Sequence, residues 1–90
     1  MADTLRLPDE LGRALRERRE ALGMSKSDLA AKAGKVREVI YRLEAGEDTT
    51  VSSLMAVLGA LGLAMRLEGV GLPTAEEVAR RFQEDDDDAS

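Results

Sequence analysis

The chain has no histidine and no cysteine among its 90 residues, and only one tyrosine, one phenylalanine and no tryptophan. Without imidazole or thiol it lacks the ordinary general base, the thiolate nucleophile and the usual zinc ligands. The expectation is therefore no enzyme, no catalytic residues, no cofactor and no metal. No disulfide framework is possible, and the redox compartment goes unmarked. With aromatics nearly absent, thirteen leucines and the smaller aliphatics must supply the packing. A chain this short has room for one modest core and would gain from a partner subunit. No apolar run of about eighteen residues occurs, and no signal peptide is legible, so the expectation is a cytoplasmic protein with no membrane partner. Gly69-Val70-Gly71 follows an alternating segment but lacks the third glycine and the helix of a phosphate loop.

What is present is a pair of short amphipathic segments. Residues 25–46 read SKSDLAAKAGKVREVIYRLEAG. Leu29, Ala30 and Ala33 share one face of a first helix, and Val36, Val39, Ile40 and Leu43 share one face of a second. Gly34 stands between them, where the chain must reverse with positive φ. Ala30 is small enough for a steep helix crossing, and Ile40 and Leu43 can plug the joint. Small residue, glycine and aliphatics at this spacing are the packing pattern of a helix-turn-helix, whose second helix enters a DNA major groove.

The formal net charge of −5 argues against DNA only until it is located. Residues 84–88 are five consecutive acids, and without them thirteen acids face thirteen bases. Residues 13–43 hold nine Lys/Arg against four Asp/Glu, an excess of five positive charges where a phosphate backbone would lie.

In chain order, Pro8-Asp9 opens a helix predicted over residues 9–22, with Leu11, Ala14, Leu15, Ala21 and Leu22 inward and Gly23 ending it. Arg13, Arg16, Arg18 and Arg19 stud its surface beside Glu17 and Glu20. Ser25 and Asp28 form a capping-box pair for the second helix. The third is predicted over residues 36–45. Thr50 caps a fourth, buried through Leu54, Val57, Leu58 and Leu61 and stopped by Gly62. The period then changes: Leu63, Met65 and Leu67 alternate with Ala64, Arg66 and Glu68, a strand pattern. Its partner is either the same strand of a second copy, giving a two-fold dimer, or residues 5–7. Thr74-Ala75-Glu76-Glu77 opens a short helix carrying Val78 and Phe82. The acid run after it repels itself and is expected to be disordered, with no preorganised cation site. The fold class is thus all-α, four to five helices plus a short C-terminal strand. Residues 1–69 form the DNA-binding and dimerisation domain, and 70–90 the tail.

With the apolar stripe of the third helix inward, Arg37, Glu38, Tyr41 and Arg42 point outward together. Arginine can fork onto guanine, glutamate can accept from cytosine N4, and tyrosine can reach a phosphate or base edge. The plain alternative is that Glu38 and Arg42, four apart, pair with each other. Lys26, Lys32 and Lys35 are candidate phosphate grips, with the Ser25 hydroxyl and the first amides of the second helix.

At these residues the chain resembles the Xre/Cro family of helix-turn-helix repressors, with a lambda-repressor-like fold. The likeness spans residues 11–63, through LGRALRERREALGMSKSDLAAKAG, VIYRLEAG and TVSSLMAVLGALGL. It implies that Arg19 and Glu44 form an internal ion pair between the first and third helices, and it places base reading on Arg37, Glu38 and Arg42. Three residues depart from the pattern. Lys26 replaces a glutamine that bridges to phosphate and to the recognition helix, and is expected to keep the first role and lose the second. Lys35 replaces an aliphatic, so its stem must snorkel across the turn. Val36 stands where a Ser or Thr cap is common, leaving the third helix poorly capped. Residues 48–68, DTTVSSLMAVLGALGLAMRLE, resemble the HipB-type antitoxins in the TT-x-x-x-L entry and the LGLxMxL strand. That branch implies a homodimer paired through Leu63, Met65 and Leu67, a palindromic operator, autorepression and a HipA-type kinase toxin as partner. Two other readings stand beside it: an Xre-type regulator with no toxin, and a protein-interaction module that has lost DNA binding.

Overall fold

The computed structural model describes residues 4–71 together with 75, 76, 79 and 80. Among these, four complete helices form: α1 (Pro8–Ala21), α2 (Lys26–Ala33), α3 (Arg37–Glu44) and α4 (Val51–Ala60). Three of the four starts have a local side-chain or proline cause, that of α3 being without a side-chain cap. Pro8 occupies the first turn of α1, where its missing N–H is not needed, and Glu10 Oε1 accepts from the amides of Arg6 and Leu7 at 3.2 and 2.9 Å. Ser25 Oγ accepts from the Asp28 amide at 3.0 Å while Asp28 Oδ2 accepts from the Ser25 amide at 3.1 Å, the full capping box. Thr50 Oγ1 accepts from the Ser53 amide at 3.1 Å to open α4.

The ends share one device. Gly34 lies in the left-handed region at φ 68°, its amide bonded to the Ala31 carbonyl and that of Lys35 to the Ala30 carbonyl. This Schellman closure satisfies two of the carbonyls that a helix end leaves open, and it turns the chain from α2 into α3. The same pair of bonds recurs at Gly23, Gly46 and Gly62.

The core is aliphatic. Leu15, Leu29, Ile40, Val57 and Leu61, at least one from every helix or its end, are the largest fully buried side chains, joined by Ala30, Leu43, Leu58 and Ala60. α3 packs against α1, α2 and α4, so it is the central element of the fold. Two residues set how closely α1 meets α3. A Cβ on Gly12 would lie 2.5 Å from the Glu44 carbonyl oxygen and 2.6 Å from that of Leu43, so only glycine permits this crossing. About two turns later, Arg19 Nε donates to Glu44 Oε2 at 2.7 Å and Nη2 to Oε1 at 3.1 Å, a bidentate pair that is nearly all buried. Arg19 Nη1 also donates to the Met24 carbonyl at 2.9 Å, which ties in the turn before α2.

Several expectations need correcting. Ala21 and Leu22 are exposed, because α1 outruns the core it covers. Val36 is exposed too: as the residue before α3 it has extended backbone and does not follow the helical stripe. Arg18 is not simply a solvated charge, since its Nε donates to the Leu61 carbonyl at 3.0 Å and fastens α1 to the end of α4. Of the two expected partners for the alternating segment holding Leu63, Met65 and Leu67, residues 5–7 are excluded: within one chain residues 63–70 form neither helix nor strand. A strand needs a second strand for its amides and carbonyls, and nothing else in the described residues supplies one. Residues 75, 76, 79 and 80 are helical; Val78, Phe82 and the acid run lie outside the described residues.

Glu44→Ala would leave the Arg19 guanidinium buried without its anion, at a cost of about 3–5 kcal/mol. Urea unfolding of the two proteins measures this. A loss under about 1 kcal/mol, the range of an exposed pair, would show that the pair does not hold α1 to α3.

Candidate nucleic-acid interface

Arg37, Glu38, Tyr41 and Arg42 all lie exposed on α3, because Ile40 and Leu43 take the opposite face into the core. They are not independent groups. Arg42 Nη2 donates to Glu38 Oε1 at 2.9 Å, with both side chains more than half exposed. Arg37 Nη2 donates to Tyr41 Oη at 2.7 Å, and its guanidinium carbon lies 5.2 Å from the Tyr41 ring centre. The outward face is therefore two i,i+4 pairs side by side. Exposed pairs of this kind are worth about 0.3–0.5 kcal/mol, so they orient the arginines without locking them.

Lys26 joins this row from α2. Its Nζ sits 4.0 Å from the Tyr41 ring centre, a cation–π contact across the helix-turn-helix joint. The expectation that a lysine here gives up the bridge to the recognition helix is thus overturned. A ring quadrupole attracts an ammonium where a glutamine would need a hydrogen-bonding partner. Neither lone residue signals this in the sequence, for the contact requires Lys26 and Tyr41 to be brought together across fifteen positions by the turn.

The remaining predicted grips are placed differently. Ser25 Oγ accepts the Asp28 amide as the α2 cap, which leaves its hydroxyl proton available to an outside acceptor. Lys32 is exposed in the last turn of α2, where a cation suits the helix carbonyls as well as a phosphate. Lys35 is half-buried in the turn itself, as a stem lying along the joint would be. Beside α3, Val36, Val39, Arg42, Thr49 and Thr50 line an open recess of about 260 Å³. Among the described residues no cluster of acids could hold a metal ion, and no helix is long and apolar enough to cross a membrane.

Two ionisable groups are shifted by their surroundings. The Glu44 hydrogen bond raises the Arg19 pKa further, against the desolvation that opposes it. The Ser25 amide, and then the Ser25 hydroxyl, hold the Asp28 carboxyl below its ordinary range. Because the folded value is the lower one, the cap's contribution is complete above the unfolded value of about 3.9 and is lost as pH falls through the folded value. Asp28→Asn removes this dependence. The wild-type chain should melt higher than Asp28→Asn at neutral pH, and the gap should close as the pH falls below the ordinary carboxylate range and Asp28 takes up its proton. Parallel melting curves across that range would show that Asp28 is not a charged cap.

Comparison with known proteins agrees with this geometry. A family model described as helix-turn-helix matches residues 15–67. An endothelial differentiation-related factor 1 homolog from Danio rerio is 30% identical over 69 residues, 76% of this chain and 47% of that protein. The chain thus spans about half the length of the curated relative it matches. Among solved structures, a HipB–O2 20mer complex is similar with a TM-score of 0.74 and 25% identity, over 79% of this chain and 100% of that one. A HipA–HipB–O2–O3 complex and a HipB–O4 20mer complex each give a TM-score of 0.73 and 27% identity, over 78% of this chain and 100% of theirs. With a matched family model covering both helices of the motif and a fold shared with HipB, the chain belongs to the Xre-type helix-turn-helix family of DNA-binding regulators.

Proposed function

We propose that this protein is a dimeric, sequence-specific repressor that serves as the antitoxin of a HipA-type toxin–antitoxin operon and represses that operon itself. The observation that carries DNA reading is the outward row of α3, with Arg37, Glu38, Tyr41 and Arg42 exposed and Lys26 seated against Tyr41. A bidentate arginine–guanine contact is worth about 1–3 kcal/mol, several times an exposed Glu–Arg pair, so the Glu38–Arg42 bond is no bar to Arg42 turning onto a base. Glu38 then becomes free to accept from a cytosine N4. Arg37 keeps its hold on Tyr41 or forks onto a second guanine. Lys26, Lys32, Lys35 and the Ser25 hydroxyl serve as phosphate contacts that set register.

The dimer follows from the other end of the domain. Met65 and Leu67 are exposed, Leu63 is partly so, and among the described residues the backbone of their segment is unpaired apart from the Leu63 amide, which bonds the Leu58 carbonyl. Antiparallel pairing with the same segment of a second copy would cover those side chains and satisfy the backbone at once. Two recognition helices would then read a palindrome with half-sites about one helical turn, ~34 Å, apart. The toxin assignment rests on the likeness to HipB, one solved structure of which is a complex with HipA.

Selection from a random duplex library with the full chain, repeated over a salt series, tests this reading. The expected result is an enriched palindrome whose affinity falls steeply with salt. Arg37→Glu and Arg42→Glu should each weaken that site at least tenfold while leaving thermal unfolding nearly unchanged. Enrichment of nothing at any salt, or indifference to both reversals, would leave a protein-interaction module.

A further inference from the structure

Every acid of α2 and α3 has a partner, and most of the cations there do not. Residues 25–44 hold Lys26, Lys32, Lys35, Arg37 and Arg42 against Asp28, Glu38 and Glu44. Asp28 caps α2, Glu44 is buried on Arg19, and Glu38 bonds Arg42. Asp48 lines the recess beside Arg42 as well, so that end of α3 already has carboxylates at hand. Lys26, Lys32, Lys35 and Arg37 have no carboxylate partner among the described residues. α1 differs, because its Arg13, Arg16, Arg18 and Arg19 stand among Asp9, Glu10, Glu17 and Glu20. Tyr41 concentrates the imbalance. The Lys26 Nζ and the Arg37 guanidinium carbon lie 4.0 and 5.2 Å from the centre of that one ring. Lys35 stands in the turn two residues before Arg37. Like charges gathered this closely repel, and an anion among them relieves that repulsion.

The chain carries a matching anion. Glu84, Asp85, Asp86, Asp87 and Asp88 form its longest run of one charge, and their five negatives equal the excess of five positives over residues 13–43. The thirteen steps from Gly71 to Glu84 span between about 20 Å as continuous helix and about 45 Å fully extended. That range covers the chain's shorter dimensions of 32 and 21 Å. A ligand tethered in this way acts at an effective concentration in the millimolar range, so weak exposed pairs suffice to seat it. We propose that the face around Tyr41, with Lys26, Lys35 and Arg37, is the docking site of the chain's own residues 84–88, which thereby compete with DNA. The competition rests on α3 being the recognition helix, whereas the docking does not. Carboxylates of the run and phosphates of a duplex are both rows of anions, so one must leave before the other binds. DNA binding by the full chain then displaces carboxylates as well as counterions, and its salt dependence is shallower than that of a chain without the run.

The test compares the full chain with a variant of equal length carrying Glu84→Gln, Asp85→Asn, Asp86→Asn, Asp87→Asn and Asp88→Asn. Without DNA, amide and side-chain NMR shifts should differ between the two at Lys26, Lys35, Arg37 and Tyr41, and added salt should erase the difference. Lys26→Gln with Arg37→Gln should reduce it in the same way. With DNA, the neutralised variant should bind a duplex about tenfold more tightly at ~50 mM salt, and the gap should shrink to about twofold or less near 300 mM. No shift difference, or one confined to α1, overturns the docking, as does one that grows with protein concentration, which would place the run on another copy. Equal affinities of the two proteins for DNA at low salt overturn the competition. A duplex library that enriches nothing, beside the expected shifts, overturns the recognition-helix reading and supports the docking.

Discussion

The buried pair between Arg19 and Glu44 is the constraint on which the rest of the arrangement depends. It joins the last part of α1 to the last residue of α3, and through Arg19 Nη1 it also holds the Met24 carbonyl ahead of α2. Three segments are thus fixed by one guanidinium. Two charges this deeply buried contribute little net stability compared with an aliphatic pair of the same volume, because desolvation offsets most of their attraction. What they supply is direction. A planar fork meeting a carboxylate at two points admits one relative orientation, whereas leucines tolerate many. Gly12 completes the constraint by letting the α1 backbone touch the carbonyls of Leu43 and Glu44.

That orientation leaves α3 with one face in the core and the other in water, although it is only eight residues long. A helix of this length would not persist alone in water. Its order comes from Ile40 and Leu43, from the Glu44 tie and from the glycine closure that delivers the chain to it. The outward face is then ordered more weakly, by pairs that compete easily with a ligand. Arg42 leans on Glu38, Arg37 on Tyr41, and Lys26 reaches Tyr41 from the neighbouring helix. The result is a fixed backbone beneath lightly held side chains. Arg42 also keeps the Glu38 charge compensated.

Much of this was legible from residues alone. Ser25 with Asp28, and Thr50 before an aliphatic run, mark helix starts through bonds made within four residues, and such bonds form whatever the tertiary context. Gly23, Gly34, Gly46 and Gly62 mark the ends for the same local reason. The stripe of Ile40 and Leu43 assigned the outward row correctly. The misses have physical causes as well. Periodicity cannot say where a helix outruns its core, so Ala21 and Leu22 read as buried. It also cannot say that Val36 stands one residue outside the helix whose stripe it seems to continue.

By itself, then, the sequence determined the four helices, the turn between the second and third, and the side chains that face outward, because caps, glycine closures and amphipathic spacing are local properties. Only the tertiary structure decided which of those side chains meet. Lys26 finds Tyr41, Arg18 finds the Leu61 carbonyl, and Gly12 finds the end of α3, all across sequence separations that no period encodes. These meetings depend on distances and angles set when the whole core closes, and a contact between distant residues acquires its energy only then.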